Sequence, residues 1–278
     1  MLTETFQSIA TATRTVFRSW RSMLLIAMVY ALLLAALYSF IAVREASVAQ
    51  VVITFALAIA APILFFILQA MIMGGIARDE TSASLGSIVK TSLANFWKLL
   101  LITLPLIALA VLVAYLLAKA QARLGSSIPE TTAEIPRRLA DGARDTSKPI
   151  DWRAALVSTV RYLTFGLFLP IAAIHLWLAA ASEGLGHALK RIGNLLAKAF
   201  APQSVLIYVV GFIVFAVVPY LLLFRSIPSK HAWLEITLLT ARLAVIFALT
   251  LFGWVITVKA LAHWSRKNSR SAAGSEAV

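Results

Sequence analysis

Six long apolar stretches, separated by more polar segments, set the pattern of this chain: about 22–43, 49–77, 98–120, 152–181, 204–224 and 233–262. A helix needs about 20 mostly apolar residues to cross the hydrocarbon core of a bilayer, so each stretch predicts a spanning helix. The first carries Ala27, Ala31, Ala35 and Ser39 at four-residue spacing, and the third carries Ala110, Ala114 and Ala118. Such small-residue stripes predict close approach of a neighbouring helix.

A second pattern precedes alternate spans. In 4–20, Phe6, Ile9, Ala10, Val16, Phe17 and Trp20 share one helical face, with Arg14 and Arg18 opposite. In 81–97, Leu85, Ile88, Val89, Leu93 and Phe96 share a face, with Ser87, Lys90, Thr91 and Asn95 broadly opposite. In 182–200, Leu185, Leu189, Ile192, Leu196 and Phe200 share a face, with Lys190, Arg191, Asn194 and Lys198 opposite. An amphipathic basic helix of this kind lies in the membrane interface, with its cations toward headgroup phosphates. Three units of amphipathic helix, span, loop and span are compatible with a threefold internal repeat. Its local signature is Leu85-Gly86-x-Ile88-Val89-Lys90 against Leu185-Gly186-x-Ala188-Leu189-Lys190. Shared composition of interfacial helices would produce the same likeness.

Composition fixes the class. Only 13% of the 278 residues are charged and 61% are hydrophobic, whereas soluble domains carry about 25% charged residues. The net charge of +13 would suggest nucleic acid in a soluble protein. Here the cations sit at helix ends, which points to topology and anionic lipid instead. Cysteine is absent, which excludes disulfides, thiolate metal sites and a cysteine nucleophile. The first apolar stretch exceeds a typical signal-peptide core and reads as an uncleaved helix.

The Lys/Arg distribution sets the expected orientation. Three cations precede the first span, three lie in each of the 77–98 and 182–203 connections, and four follow from Lys259. The two short loops on the opposite side hold one and two, while the 121–151 loop with its flanks holds seven beside five acids. Both termini are expected in the cytoplasm of a bacterial-type inner (plasma) membrane, with all three amphipathic segments on that leaflet. The domain reading is a single six-helix domain over 1–265, with an external loop at 121–151 that holds one short helix around 135–143. Residues 266–278 read as a disordered cytoplasmic tail.

Polar groups inside spans are the default candidates for chemistry, because each is costly there without a partner. Gln69, His175 and Arg242 form the candidate intramembrane site, with Arg161 near the outer end of the fourth span. Gln69 and His175 lie at similar depth, so they can meet across a bundle. They can act as a proton relay, as hydrogen bonds to a substrate, or, for His175, as an axial ligand to a pigment or haem. They can equally be groups satisfied by a neighbouring helix, and no acid lies deep in a span to serve proton coupling. No cofactor is evident. Glu183 and His187 are four residues apart, but no third ligand is in view for a metal. Pro62, Pro105, Pro170 and Pro219 lie inside four spans, as in the broken helices of transporters. No P-loop, HExxH, serine-nucleophile or dinucleotide motif occurs. The expected anionic-lipid contacts are Arg14, Arg18, Lys90, Lys98, Lys190, Arg191 and Lys198.

The segments Leu85-Gly86…Lys90…Phe96 and Leu185-Gly186…Lys190…Phe200, with the spans that follow, resemble the YciC-like six-span bacterial inner-membrane proteins. That group is similar to the membrane domain fused to some glycerophosphodiester phosphodiesterases. The resemblance implies the fold; with no phosphodiesterase domain in the chain, it implies no activity. The expectation is an all-α bundle of six transmembrane helices with three interfacial helices. Its expected role is a non-enzymatic accessory or scaffold subunit, or an envelope-organising protein, with membrane-protein partners. The alternative is a transporter or channel for a lipid-like or anionic molecule.

Overall fold

The computed structural model describes residues 2–43, 47–78, 85–123, 152–224 and 232–275. The described residues are all-α, and six helices are long and apolar enough to cross a membrane. The 81–84 start of the second amphipathic segment, the 124–151 part of the polar region with its expected short helix, and the turn at 226–228 lie outside the described residues.

Helix α1 (Leu2–Arg18) ends at Ser19. Helices α2 (Trp20–Ala42) and α3 (Val48–Arg78) then form an antiparallel hairpin. Helix α4 (Leu85–Arg123) is continuous. The fourth span comprises α5 (Trp152–Leu163), a π-turn at Thr164–Phe168 and α6 (Leu169–Glu183). Two short helices follow, α7 (Leu185–Lys190) and α8 (Ile192–Ala199). The fifth span comprises α9 (Pro202–Phe212), a π-turn at Ile213–Val217 and α10 (Val218–Phe224). Helix α11 (Ala232–Ser275) is the sixth span. Its described bounds reach Ser275.

The π-turns have a sequence cause. Pro170 and Pro219 each lack an N–H, and each ring would clash with the carbonyl four residues back. Each is preceded by a π-turn, after which the N–H of Leu169 or Val218 bonds five residues back, to Thr164 or Ile213. The widened turn accommodates the ring. Around Pro62 and Pro105 the helices remain α-helical.

The chain divides into two compact units, one of 1–103 with 171–278 and one of 104–170. In the larger unit, α1, α9 and α10 pack against α11. The fifth and sixth spans approach closely where Gly211 faces Thr257 and Gly253 faces Phe215. Tyr208, Phe212, Phe215 and Trp254 interlock beside that seam, with Phe215 and Trp254 edge to face at 5.3 Å. The small-residue stripe expected on the first span is only partly covered within the described residues. Ala27 and Ser39 are half-buried and Ala31 and Ala35 are exposed, whereas Met23, Ile26 and Leu33 are buried.

The amphipathic segments take three different forms. Helix α1 is separate, as expected. It buries Thr5, Ser8, Ala12 and Val16, a flank of mostly small side chains. Phe6 and Phe17 stay exposed on a second flank, and Arg14 and Arg18 on a third. The helix thus docks one flank on the bundle and keeps its aromatic and its cationic flanks apart on the exposed surface. The second segment is not a separate interfacial helix, because its described part is the first turns of α4. The third is broken into α7 and α8.

Candidate functional site

The fourth span ends where Gly184 takes φ 87°, ψ 163°, a region essentially restricted to glycine. This turn redirects the chain from α6 into α7. A second break, at Arg191, separates α7 from α8. The backbone therefore folds the cationic stretch 190–198 back toward the end of the span that precedes it, where Arg191 pairs with Glu183 at 3.6 Å.

Between these short helices and the ends of α3, α6 and α11 lies a cavity of about 340 Å³. Its cationic lining is Arg191, Lys198 and Arg266; its one carboxylate is Glu183. Ser182, Asn194 and Ser265 add neutral hydrogen-bonding groups, and Ile76, Leu178 and Leu195 add apolar wall. Arg266 donates from Nη2 to the Ile76 carbonyl at 2.6 Å. That carbonyl belongs to the last described turn of α3, and the C-terminal end of a helix favours a cation.

His175 also lines this cavity. It is buried, its Nε2 lies 2.8 Å from Ser204 Oγ, and its ring meets Trp264 edge-on at 6.3 Å. The nitrogen an axial ligand would use is therefore the one that faces Ser204, unless Nδ1 serves. Gln69 is occupied elsewhere: its Oε1 accepts a hydrogen bond from Trp254 Nε1 at 3.1 Å. Arg242 sits half-buried on α11, twelve residues from Trp254 and so roughly 18 Å away along the axis. Of the three expected site residues, only His175 lines the cavity.

Among the expected lipid-contacting cations, Arg191 and Lys198 are brought together at the cavity. Arg14 and Arg18 are exposed on α1, and Lys90 and Lys190 are exposed on their own helices. Lys98 lies half-buried, with Nζ 3.5 Å from Asn95 Oδ1.

A polar network beside the cavity escaped sequence reasoning. Trp264 Nε1 donates to Gln203 Oε1 at 2.6 Å, and Gln203 Nε2 donates to Glu4 Oε2 at 2.9 Å. Lys267 Nζ lies 2.9 Å from the other Glu4 oxygen. These contacts hold α1 to the start of the fifth span and the end of the sixth, so those three chain ends lie on one side. The hydrogen bond from Lys267, then its charge, hold the Glu4 carboxyl below the usual carboxylate range. One signal was legible: Glu4 is the only acid in α1. Nothing in the sequence ties it to Gln203 or Lys267.

Comparison with family models, with curated proteins and with solved structures finds no match to this chain.

Proposed function

We propose that the chain is a non-enzymatic multi-pass membrane protein that serves as an accessory or scaffold subunit. Its place is a bacterial-type inner membrane, with both termini and the cavity on the cytoplasmic side. The observation that carries this reading is the use made of polar groups within the spans. Trp254 bonds Gln69, Trp177 Nε1 bonds Thr103 Oγ1 at 2.7 Å, and His175 pairs with Ser204. Each links two different spans, so polarity inside the membrane supports helix cohesion rather than a reaction. The resemblance to YciC-like proteins belongs to this proposal and bears on the fold alone.

The test joins native mass spectrometry after gentle extraction to flux assays in proteoliposomes. The expected outcome is co-purification with defined membrane-protein partners at fixed stoichiometry, and no solute movement by the chain alone. Movement or conversion of a substrate by the purified chain would overturn the reading. A second reading, transport of an anionic or lipid-like molecule, is favoured by the buried His175 in a cationic cavity. It requires flux that substitution of His175 abolishes.

A further inference from the structure

We propose that the cavity bounded by α3, α6, α7–α8 and α11 is a discrete site for the phosphate-bearing headgroup of an anionic phospholipid. The site does not depend on the scaffold reading, since a scaffold and a transporter can both hold such a lipid.

Three observations support it. First, the cations come from separate segments and converge: Arg191 between two short helices, Lys198 within the second, and Arg266 near the end of the sixth span. Three cations beside one carboxylate leave the cavity positive, and an anionic phosphodiester offsets that charge. Guanidinium groups match phosphate oxygens in a two-bond geometry, and two of the three cations are arginines. Second, the depth is right. Arg266 is fixed on the carbonyl of Ile76, where the second span ends, so the charges lie at the level of headgroups. Third, the lining is amphipathic, with Ile76, Leu178 and Leu195 beside the cations. Apolar wall suits the glycerol and first acyl carbons of a lipid, whereas free phosphate would leave it facing water. A volume of about 340 Å³ lies within the usual range of small-molecule sites, about 300–1,000 Å³.

The experiment is native mass spectrometry of the full chain from phosphatidylcholine micelles doped with phosphatidylglycerol. The wild type is expected to retain one phosphatidylglycerol per chain. Lys198→Gln should lower that occupancy about tenfold or more, the loss of one charge-assisted contact. Ser182→Phe, at an exposed lining position, should do the same by filling the cavity at constant charge. Arg21→Gln removes an exposed cation that does not line the cavity and should change nothing. Equal losses in Lys198→Gln and Arg21→Gln would show a diffuse charged surface and overturn the site. Retention by both Lys198→Gln and Ser182→Phe, with unchanged elution and melting, would overturn it too. Displacement of the lipid by millimolar inorganic phosphate would keep the phosphate chemistry but overturn the lipid as occupant.

Discussion

Gly211→Ala is the sharpest probe of the packing that holds the fifth and sixth spans together. A Cβ at position 211 would press on Thr257 Oγ1, and would lie 2.6 Å from Thr257 Cγ2 and 2.9 Å from Thr257 Cβ. Rotation about χ1 relieves the first two contacts but not the third. Thr257 is also buried, with Oγ1 bonded to the Gly253 carbonyl at 2.6 Å, so rotation breaks a hydrogen bond. The helices must therefore move apart. Overpacking costs about 1–3 kcal/mol, and this geometry belongs at the upper end. Alanine returns about 1 kcal/mol of helix propensity. The expected net loss is thus about 2 kcal/mol, read from SDS-driven unfolding in mild detergent by tryptophan fluorescence. Adding Thr257→Ala removes Oγ1 and Cγ2 but keeps the Cβ at 2.9 Å, so it should restore only part of the loss. Gly253→Ala should resist such rescue, because its nearest neighbours are Phe215 Cβ at 2.9 Å and Phe215 backbone at 3.3 Å. If Gly211→Ala is as stable as the parent, or if Thr257→Ala restores nothing, the close approach inferred here is wrong.

The other predictions concern polar contacts and backbone geometry. Trp254→Phe removes the donor to buried Gln69 and should cost about 0.6 kcal/mol, at most about 1.7, the range for such bonds inside membranes. Trp254→Phe with Gln69→Leu should unfold later than Trp254→Phe alone in the same titration. For Glu4 the lowered pKa sets the sign: its contacts with Lys267 and Gln203 stabilise α1 docking above the unfolded carboxylate pKa. That contribution is lost as pH falls through the lowered value. Hydrogen exchange of α1 should accelerate over that acid window, and Glu4→Gln should remove the pH dependence; an unchanged slope in Glu4→Gln would sink the assignment. Gly184→Ala should cost about 1–3 kcal/mol, because alanine does not tolerate the observed dihedrals. It should also raise proteolysis within 184–200, since the turn no longer directs that segment back toward Glu183.

The six spans were legible because membrane insertion depends on a summed quantity, mean apolarity over about 20 residues, which sequence states directly. Helix-to-helix packing is a pairwise quantity, and there the sequence misled. The evenly spaced alanines of the first span looked like a seam, yet Ala31 and Ala35 are exposed. The close contact instead uses Gly211 and the pair Gly253 and Thr257, which lie on two helices and form no striking run in either. On α1 the face assigned to acyl chains contains Phe6 and Phe17, which remain exposed and do not dock on the bundle. The flank that docks on the bundle, Thr5, Ser8, Ala12 and Val16, is small and partly polar. A hydropathy scale ranks affinity for lipid and says little about which side chains permit close approach.

The candidate site divides along the same line. Arg191 and Lys198 stood out because a cation on an amphipathic helix is a local pattern. Arg266 entered only as one of several terminal charges, and its role depends on the distant Ile76 carbonyl. Gln69 and His175 drew notice for a sound energetic reason: a lone polar group in a span is costly. That same cost requires a partner, and the partners are Trp254 and Ser204, each on another span. Tryptophan supplies a partner for Gln69 from an otherwise apolar stretch. Its indole N–H satisfies one buried acceptor while its ring fills apolar space. An acceptor such as Gln69 can therefore be satisfied inside the membrane without a second conspicuously polar residue nearby. An isolated glutamine in a span should accordingly be weighed against every tryptophan at comparable depth before it is read as a substrate contact.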